Sequence, residues 1–380
     1  MKKTDVAKKA LQLHKKLKGK IRISSASRIK NKADLSLLYT PGVGAVSSYV
    51  AQNPSEAREY TISGRVVAVI SDGSAVLGLG NIGPLGALPV MEGKAAIFKE
   101  FAGVDAFPTV LCTQDPDEIV QTIKNIAPGL AGINLEDFAA PHCFYIEERL
   151  KNELSIPVIH DDQHGTAIVV LAGLINAAKV VGKKLESLSV VISGAGAAGT
   201  AIAKLLLLAG ISQVIVTDSK GIISKNRTDL NNEKAELARI TNPKNISGDF
   251  AHAIQGSDVV VGVSGAGAIH EEHVRSMAPN AIVFALANPI PEIMPDSAKK
   301  AGAKVVATGR SDFPNQINNA LVFPGMFRGA IDKKVTKITD ETKLQAAKNL
   351  AGLIKKPTAD KIIPNIFDKK VVPAIARAVS

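Results

Sequence analysis

Residues 132–166 read GINLEDFAAPHCFYIEERLKNELSIPVIHDDQHGT, and this stretch decides the fold. It carries two acidic pairs, Glu136–Asp137 and Asp161–Asp162. Each follows a short apolar run, Ala131-Gly132-Ile133 in one case and Ile156-Pro157-Val158-Ile159 in the other. Such runs read as buried strands, so each pair is expected at a strand's end. Between them, residues 143–152 carry apolar side chains at helical spacing. Strand, helix, strand is a βαβ unit, and its two strands should be parallel neighbours. Both pairs then fall on one edge of one sheet, the edge at which open α/β sheets bind ligands. Carboxylates converging there repel unless a cation lies between them. An all-oxygen set suits a hard ion, Mg2+ or Mn2+. The plain alternative is solvated loop acids that cap helices.

Working outward, the 380 residues suffice for two domains with large cores. The net charge of +11 is local: residues 1–32 hold twelve Lys or Arg against one acid, leaving 34 basic and 34 acidic side chains elsewhere. That segment, with Leu11, Leu13 and Leu17 among lysines, reads as an amphipathic helix with a solvated basic face or a subunit-contact helix, the alternative being a membrane or nucleic-acid arm. It lacks the apolar core of a signal peptide, and no apolar run approaches a membrane span. The chain is expected to be soluble and cytoplasmic. There is no Trp, so platforms for stacking nucleic-acid bases are not expected. The two cysteines, Cys112 and Cys143, make no disulfide framework and read as buried thiols in a reducing compartment.

In the first half, YTPGVG from Tyr39 is a turn with an exposed tyrosine, and a helix is expected over residues 45–52. Residues 66–70 form a β-branched strand that ends at Ser71-Asp72-Gly73. A Gly/Pro-rich loop then leads to Lys94, which opens an apolar helix to about residue 101. Apolar neighbours would desolvate this lysine and lower its pKa toward the range of a general base, whereas a surface lysine needs no such role. A strand over 109–112 and a helix over 115–126 follow. Past Thr166 a long buried helix to about residue 181 is placed to bridge two domains.

The second half opens with a strand, then Gly194-Ala195-Gly196-Ala197-Ala198-Gly199, then a helix over 200–209. A further strand over 213–217 ends at Asp218, 24 positions after Gly194. A glycine fingerprint between strand and helix, with an acid at that distance, is the full context of dinucleotide binding. Gly194 makes the turn, Gly196 admits the pyrophosphate, and Gly199 lets helix pack on strand. Asp218 can accept from a ribose 2′-OH and would repel a 2′-phosphate, which favours NAD over NADP, although Lys220 close by weakens that preference. Strands over 258–263, 281–286 and 304–308 continue the α/β series. The expected fold is α/β: an N-terminal α/β catalytic domain, residues 1–160, and a Rossmann-type dinucleotide-binding domain with C-terminal helices, residues 161–380.

Taken together, YTPGVG at Tyr39, SDGSAVLGLGNIGP at Ser71, VMEGKAAIFK around Lys94, INLEDFAAP, HDDQHGTA, SGAGAAG, ANP at Asn288 and INNALVFPG at Asn318 resemble the malic enzyme family in its short bacterial form. The resemblance runs over roughly residues 20–375. It implies metal- and NAD-dependent oxidative decarboxylation of (S)-malate to pyruvate and CO2, with Glu136, Asp137 and Asp162 as metal ligands. It implies Lys94 as general base, Asp161 as the partner orienting it, and Tyr39 as the acid protonating the product carbon. Asn288 and Asn318 look like ligands to a substrate carboxylate or the nicotinamide end. A homodimer is also implied. Two departures stand out. Larger relatives carry a carboxylate-gripping Arg where Ser74-Ala75 stands, and many have Arg in place of His142. The rival readings are an oxaloacetate decarboxylase of the same family, a lactate-forming variant that retains its NADH, and a non-catalytic NAD-sensing or nucleic-acid-binding protein.

Overall fold

A computed structural model describes residues 3–380. Two parallel sheets organise them. The first joins β1 (Val66–Ser71), β2 (Asp105–Val110), β3 (Gly132–Leu135) and β4 (Val158–His160) in the order β2-β1-β3-β4. Its register sets Leu135 beside His160, so the residues after β3 and β4 emerge side by side. The second holds β5 (Ser189–Ser193), β6 (Gln213–Asp218), β7 (Gly221–Ile222), β8 (Val259–Gly262), β9 (Ile282–Ala285) and β10 (Val305–Thr308), in the order β10-β9-β8-β5-β6-β7. Of these strands only the two-residue β7 is antiparallel. The strands β1, β3, β8, β9 and β10 are buried throughout, as their continuous Val/Ile runs require of a sheet covered on both faces.

The helix Asp161–Val180 follows β4 and packs against the helix Ala197–Leu208 of the second half. Its apolar residues join one core with Val67 and Phe98 of the first half and Val190 and Phe284 of the second. Asp161 and Asp162 therefore follow the end of β4 directly, as expected, and they also form the first turn of this helix. The helix holding Lys94 spans Gly83–Ala102, so it begins eleven residues before the expected start. Pro84 is tolerated because the first-turn N–H has no intrahelical acceptor. The glycines of this stretch are helical because Ala87, Met91, Ala95 and Phe98 bury against the core, and packing overrides weak propensity. The second strand lies at 105–110, four residues before the expected position, with Pro108 in a strand at the sheet's edge where a missing N–H is tolerated. Cys143 is buried as expected, but Cys112 is exposed at the end of that edge.

Residues 6–62 include no buried side chain. Ile23, Leu11 and Leu37 are the most open of their large apolar groups, and the Tyr49 ring meets that of Tyr60 at 5.1 Å. The basic helix Lys3–Leu17 leads this segment. Polar ties hold the segment to the body: Lys20 N–H and Nζ donate to Glu92 Oε2 at 3.1 Å and to the Pro89 carbonyl at 2.5 Å, and Glu59 pairs with Lys334 at 2.5 Å. Among the described residues no helix is long and apolar enough to cross a membrane.

Candidate active site and dinucleotide cleft

The two acidic pairs meet. Glu136 and Asp137 leave β3, Asp162 leaves β4, and each offers a carboxylate oxygen within 4.8 Å of the other two. Glu136 and Asp137 are buried and Asp162 half-buried. Asp137 sits at φ +57°, a left-handed conformation that a non-glycine residue adopts only where its surroundings enforce it. They do so here: its N–H donates to Asp162 Oδ2 at 2.8 Å, its carbonyl accepts from Ala75 N–H at 2.9 Å, and its Oδ1 accepts from Leu77 N–H at 3.2 Å. Its other oxygen, Oδ2, is buried with no partner. Burial and the neighbouring Asp162 raise the Asp137 carboxyl to about 7, and the same two causes push Glu136 well above the usual carboxylate range. Three packed acids with an orphaned oxygen fit a hard divalent cation, which would take up the charge that now repels.

Lys94 reaches this cluster from the helix Gly83–Ala102 and is 8% exposed. Its Nζ lies 2.8 Å from Glu136 Oε1, is hydrogen-bonded to Asp161 Oδ2, and sits 4.6 Å above the Phe323 ring. Burial alone would lower its pKa, as expected from its apolar neighbours. The carboxylates of Asp161, Glu136 and Asp162 outweigh that and hold its ammonium well above the usual lysine range. The downward shift expected from apolar neighbours alone is therefore reversed, because three acids face the ammonium. Asp161 is fully buried, its second oxygen has no partner, and a Cβ on Gly165 would lie 1.9 Å from it. Ser74 braces the loop: its hydroxyl donates to Asp72 at 2.6 Å and accepts from Ala139 N–H at 2.8 Å.

The glycine fingerprint bridges β5 and the helix Ala197–Leu208. Gly194 takes φ +118°, and a Cβ there would meet the Val263 carbonyl after β8 at 2.7 Å. A Cβ on Gly199 would lie 1.8 Å from the Gly194 carbonyl, whereas one on Gly196 meets nothing within 4 Å. The loop is thus closed beneath Gly199 and open above Gly196, the shape of a pyrophosphate cradle at a helix N-terminus. It lies where the strand order diverges on either side of β5. Asp218 ends β6 as expected but is not free. Arg227 donates to both its oxygens at 2.7 and 3.2 Å, Lys234 to Oδ2 at 2.6 Å, and Lys220 N–H to Oδ1 at 2.9 Å. Burial would raise its pKa, but these bonds hold it at about 2. Lys220 Nζ pairs with Asp229 instead.

The remaining expected residues divide. Asn288 lies exposed after β9, and its carbonyl is so near Gly78 that a Cβ there would approach it to 2.1 Å, so the glycine-rich loop of the first half meets the cofactor edge of the second. Asn318 caps the short helix Asn319–Leu321, its side-chain oxygen accepting from Ala320 N–H at 2.9 Å, and the Asn319 Cβ packs at Gly165. Tyr39 is not brought to Lys94: it is 64% exposed at the end of the helix Lys32–Leu38, its hydroxyl without a partner among the described residues. His142 is exposed in the first turn of the helix His142–Glu153. Sequence reasoning missed Arg227 and Lys234, although two basic residues within sixteen positions of Asp218 were a readable signal. It also missed Phe323 beneath Lys94, for which no local signal exists.

The profile of the malic enzyme N-terminal domain matches residues 18–151, and that of the malic enzyme NAD-binding domain matches residues 163–380. The chain is 54% identical to the bifunctional malic/malolactic enzyme of Bacillus subtilis, over 98% of this chain and 91% of that protein. It is 53% identical to the NAD-dependent malic enzyme of Geobacillus stearothermophilus, over 95% and 76%. The crystal structure of the NAD-dependent malic enzyme of Thermotoga maritima superposes with a TM-score of 0.94 at 49% identity, covering 97% of this chain and 98% of that one. Likeness at this level over both halves leaves one assignment: the chain belongs to the malic enzyme family.

Proposed function

We propose that the protein oxidises (S)-malate at C2 with NAD+ and releases its C4 carboxylate as CO2, leaving pyruvate. One observation carries the reading: three clustered carboxylates and a buried lysine stand at the ligand edge of one sheet, and the glycine-rich loop of that half meets Asn288 at the ligand edge of the other, which also holds an open glycine cradle. Glu136, Asp137 and Asp162 would hold a divalent ion, Mg2+ or Mn2+. When bound, such an ion supplies Lewis-acid polarisation of the C2 oxygen and charge stabilisation for the enolate left by decarboxylation. The cradle from Gly194 to Gly199, including Ala195, Ala197 and Ala198, and Asp218 would hold NAD, whose nicotinamide accepts the hydride from C2.

The chain's own side chains do the rest. Lys94 takes the C2 hydroxyl proton, oriented by Asp161. It can do so only as a neutral amine, so the charge of the three acids must be taken up before it acts. Asn288 and Asn318 offer amide N–H groups to a substrate carboxylate, since Ser74 is occupied. After C3–C4 cleavage, Tyr39 protonates C3. That role requires residues 6–62 to be covered, because they bury nothing in one chain. A second copy is the partner that the family resemblance implies, and we read the protein as a homodimer working in the cytoplasm. We divide the chain between residues 160 and 161, within the span that separates β4 from β5.

The test is absorbance at 340 nm with malate, each dinucleotide and each metal in turn, with pyruvate assayed alongside. Pyruvate equal to reduced dinucleotide supports the reading. Oxaloacetate consumed while malate is left untouched would replace it with the decarboxylase. Lactate formed without net absorbance change is the outcome that the name of the Bacillus subtilis relative favours as a second reading.

A further inference from the structure

We propose that Glu147 is a positioning residue for the acidic site, gripping from outside it the turn that presents Asp161 and Asp162. The inference rests on the reading that Glu136, Asp137 and Asp162 hold a divalent cation. Glu147 lies on the helix His142–Glu153, which connects β3 to β4, and it is buried. It touches neither Lys94 nor the three acids. Its Oε1 accepts from the His160 N–H at 2.8 Å, and its Oε2 lies 2.8 Å from His164 Nε2 and 3.4 Å from Gln163 Nε2. Lys151, one turn on, pairs with Oε1 at 2.7 Å. One carboxylate thus binds the residue before Asp161 and the two residues after Asp162.

Little else holds that turn. His160 is fully buried, and neither of its ring nitrogens has a hydrogen-bond partner. As N-cap of the helix Asp161–Val180 it makes no side-chain capping bond. The β4 ladder fixes the backbone only up to His160. From there Asp161 must face Lys94 while Asp162 reaches the Asp137 N–H. A helix N-terminus also favours a carboxylate nearby, so Glu147 is suited to this end of the helix. Groups that orient ligands in this way govern affinity although they never touch the ion.

The experiment is Mn2+ binding to the full chain, followed by electron paramagnetic resonance of free Mn2+, without malate or dinucleotide. Glu147→Gln keeps an acceptor for the His160 N–H but gives up the charge that faces Lys151. It should weaken Mn2+ about tenfold, and Glu147→Ala toward about a hundredfold. NADH affinity, read by its fluorescence, should stay unchanged in both. Leu150→Ala, on the same helix and buried in the core, is the structural control: it should lower Tm and leave Mn2+ affinity alone. Should Glu147→Gln bind Mn2+ as the unaltered protein does, or Leu150→Ala weaken it equally, Glu147 is merely structural and the proposal is overturned. Asp162→Ala separates the two layers: if it too leaves Mn2+ affinity unaltered, the metal reading itself is wrong and this inference goes with it.

Discussion

At the scale of single residues, the site sets one buried cation against several acids, and each partner's loss should have its own signature. Lys94→Ala should cut malate oxidation by about a hundredfold or more, the usual worth of a positioned proton acceptor, with NADH affinity little changed. Equal loss of NADH binding would mark the lysine as structural. Removing it also leaves Asp161 and part of Glu136 without a counter-charge, so Tm should fall as well. Asp162→Ala should raise the metal concentration needed for half-maximal activity, and normal metal affinity would show that the ligand set is wrong. Asp218 provides the pH dependence. Its folded pKa of about 2 lies below the roughly 4 of an unfolded aspartate. The stability it contributes is therefore complete above pH of about 4 and lost as pH falls through about 2. Thermal melts of Asp218→Asn against the unaltered protein should differ at neutral pH and converge across that window. The acids themselves were legible in the sequence because each follows an apolar run. The state of Lys94 was not, since it depends on three side chains that follow β3 and β4, distant in sequence from its own helix.

At the scale of elements, the glycine loop shows what spacing can and cannot establish. Its place between strand and helix was readable from residue types alone, and so were most strands of the second sheet. Which glycine is needed for folding and which for ligand is decided only by what surrounds each one. Gly199→Ala drives a methyl group onto the Gly194 carbonyl, so the turn and helix must part and Tm should fall sharply. Gly196→Ala meets no protein atom and keeps a conformation any residue tolerates, φ −89°. It should fold normally and yet bind NADH about tenfold or more weakly, because the methyl group occupies the place where the pyrophosphate approaches. A Gly196→Ala protein with normal NADH affinity would remove the cradle assignment. The helix Gly83–Ala102 was misread for a related reason: glycine and proline signal loops locally, and only burial of Met91 and Phe98 in a distant core makes them helical.

For the whole molecule, the puzzle is the first sixth of the chain. Its charge was legible, for the entire excess of +11 lies in residues 1–32. Its partner was not, because a sequence cannot reveal that a helix will bury nothing. In the structure, apolar groups from Val6 to Ile62 stay open, Tyr39 among them. Under the proposed homodimer a second copy covers this apolar surface, and the exposed leucines suit another helix better than a charged polymer. On that proposal the lysines border the interface, and no nucleic acid is needed to explain them. In solution the protein should sediment at about twice its chain mass of 39.8 kDa, and added salt should not dissociate it, since apolar contacts are not screened. Tyr39→Phe should keep that mass while losing pyruvate formation, because the hydroxyl bonds to nothing among the described residues and its removal takes away only the proton. A monomer retaining full activity would separate Tyr39 from any interface and assign the proton at C3 to another group. A Tyr39→Phe protein that becomes monomeric would make the residue an interface contact rather than an acid.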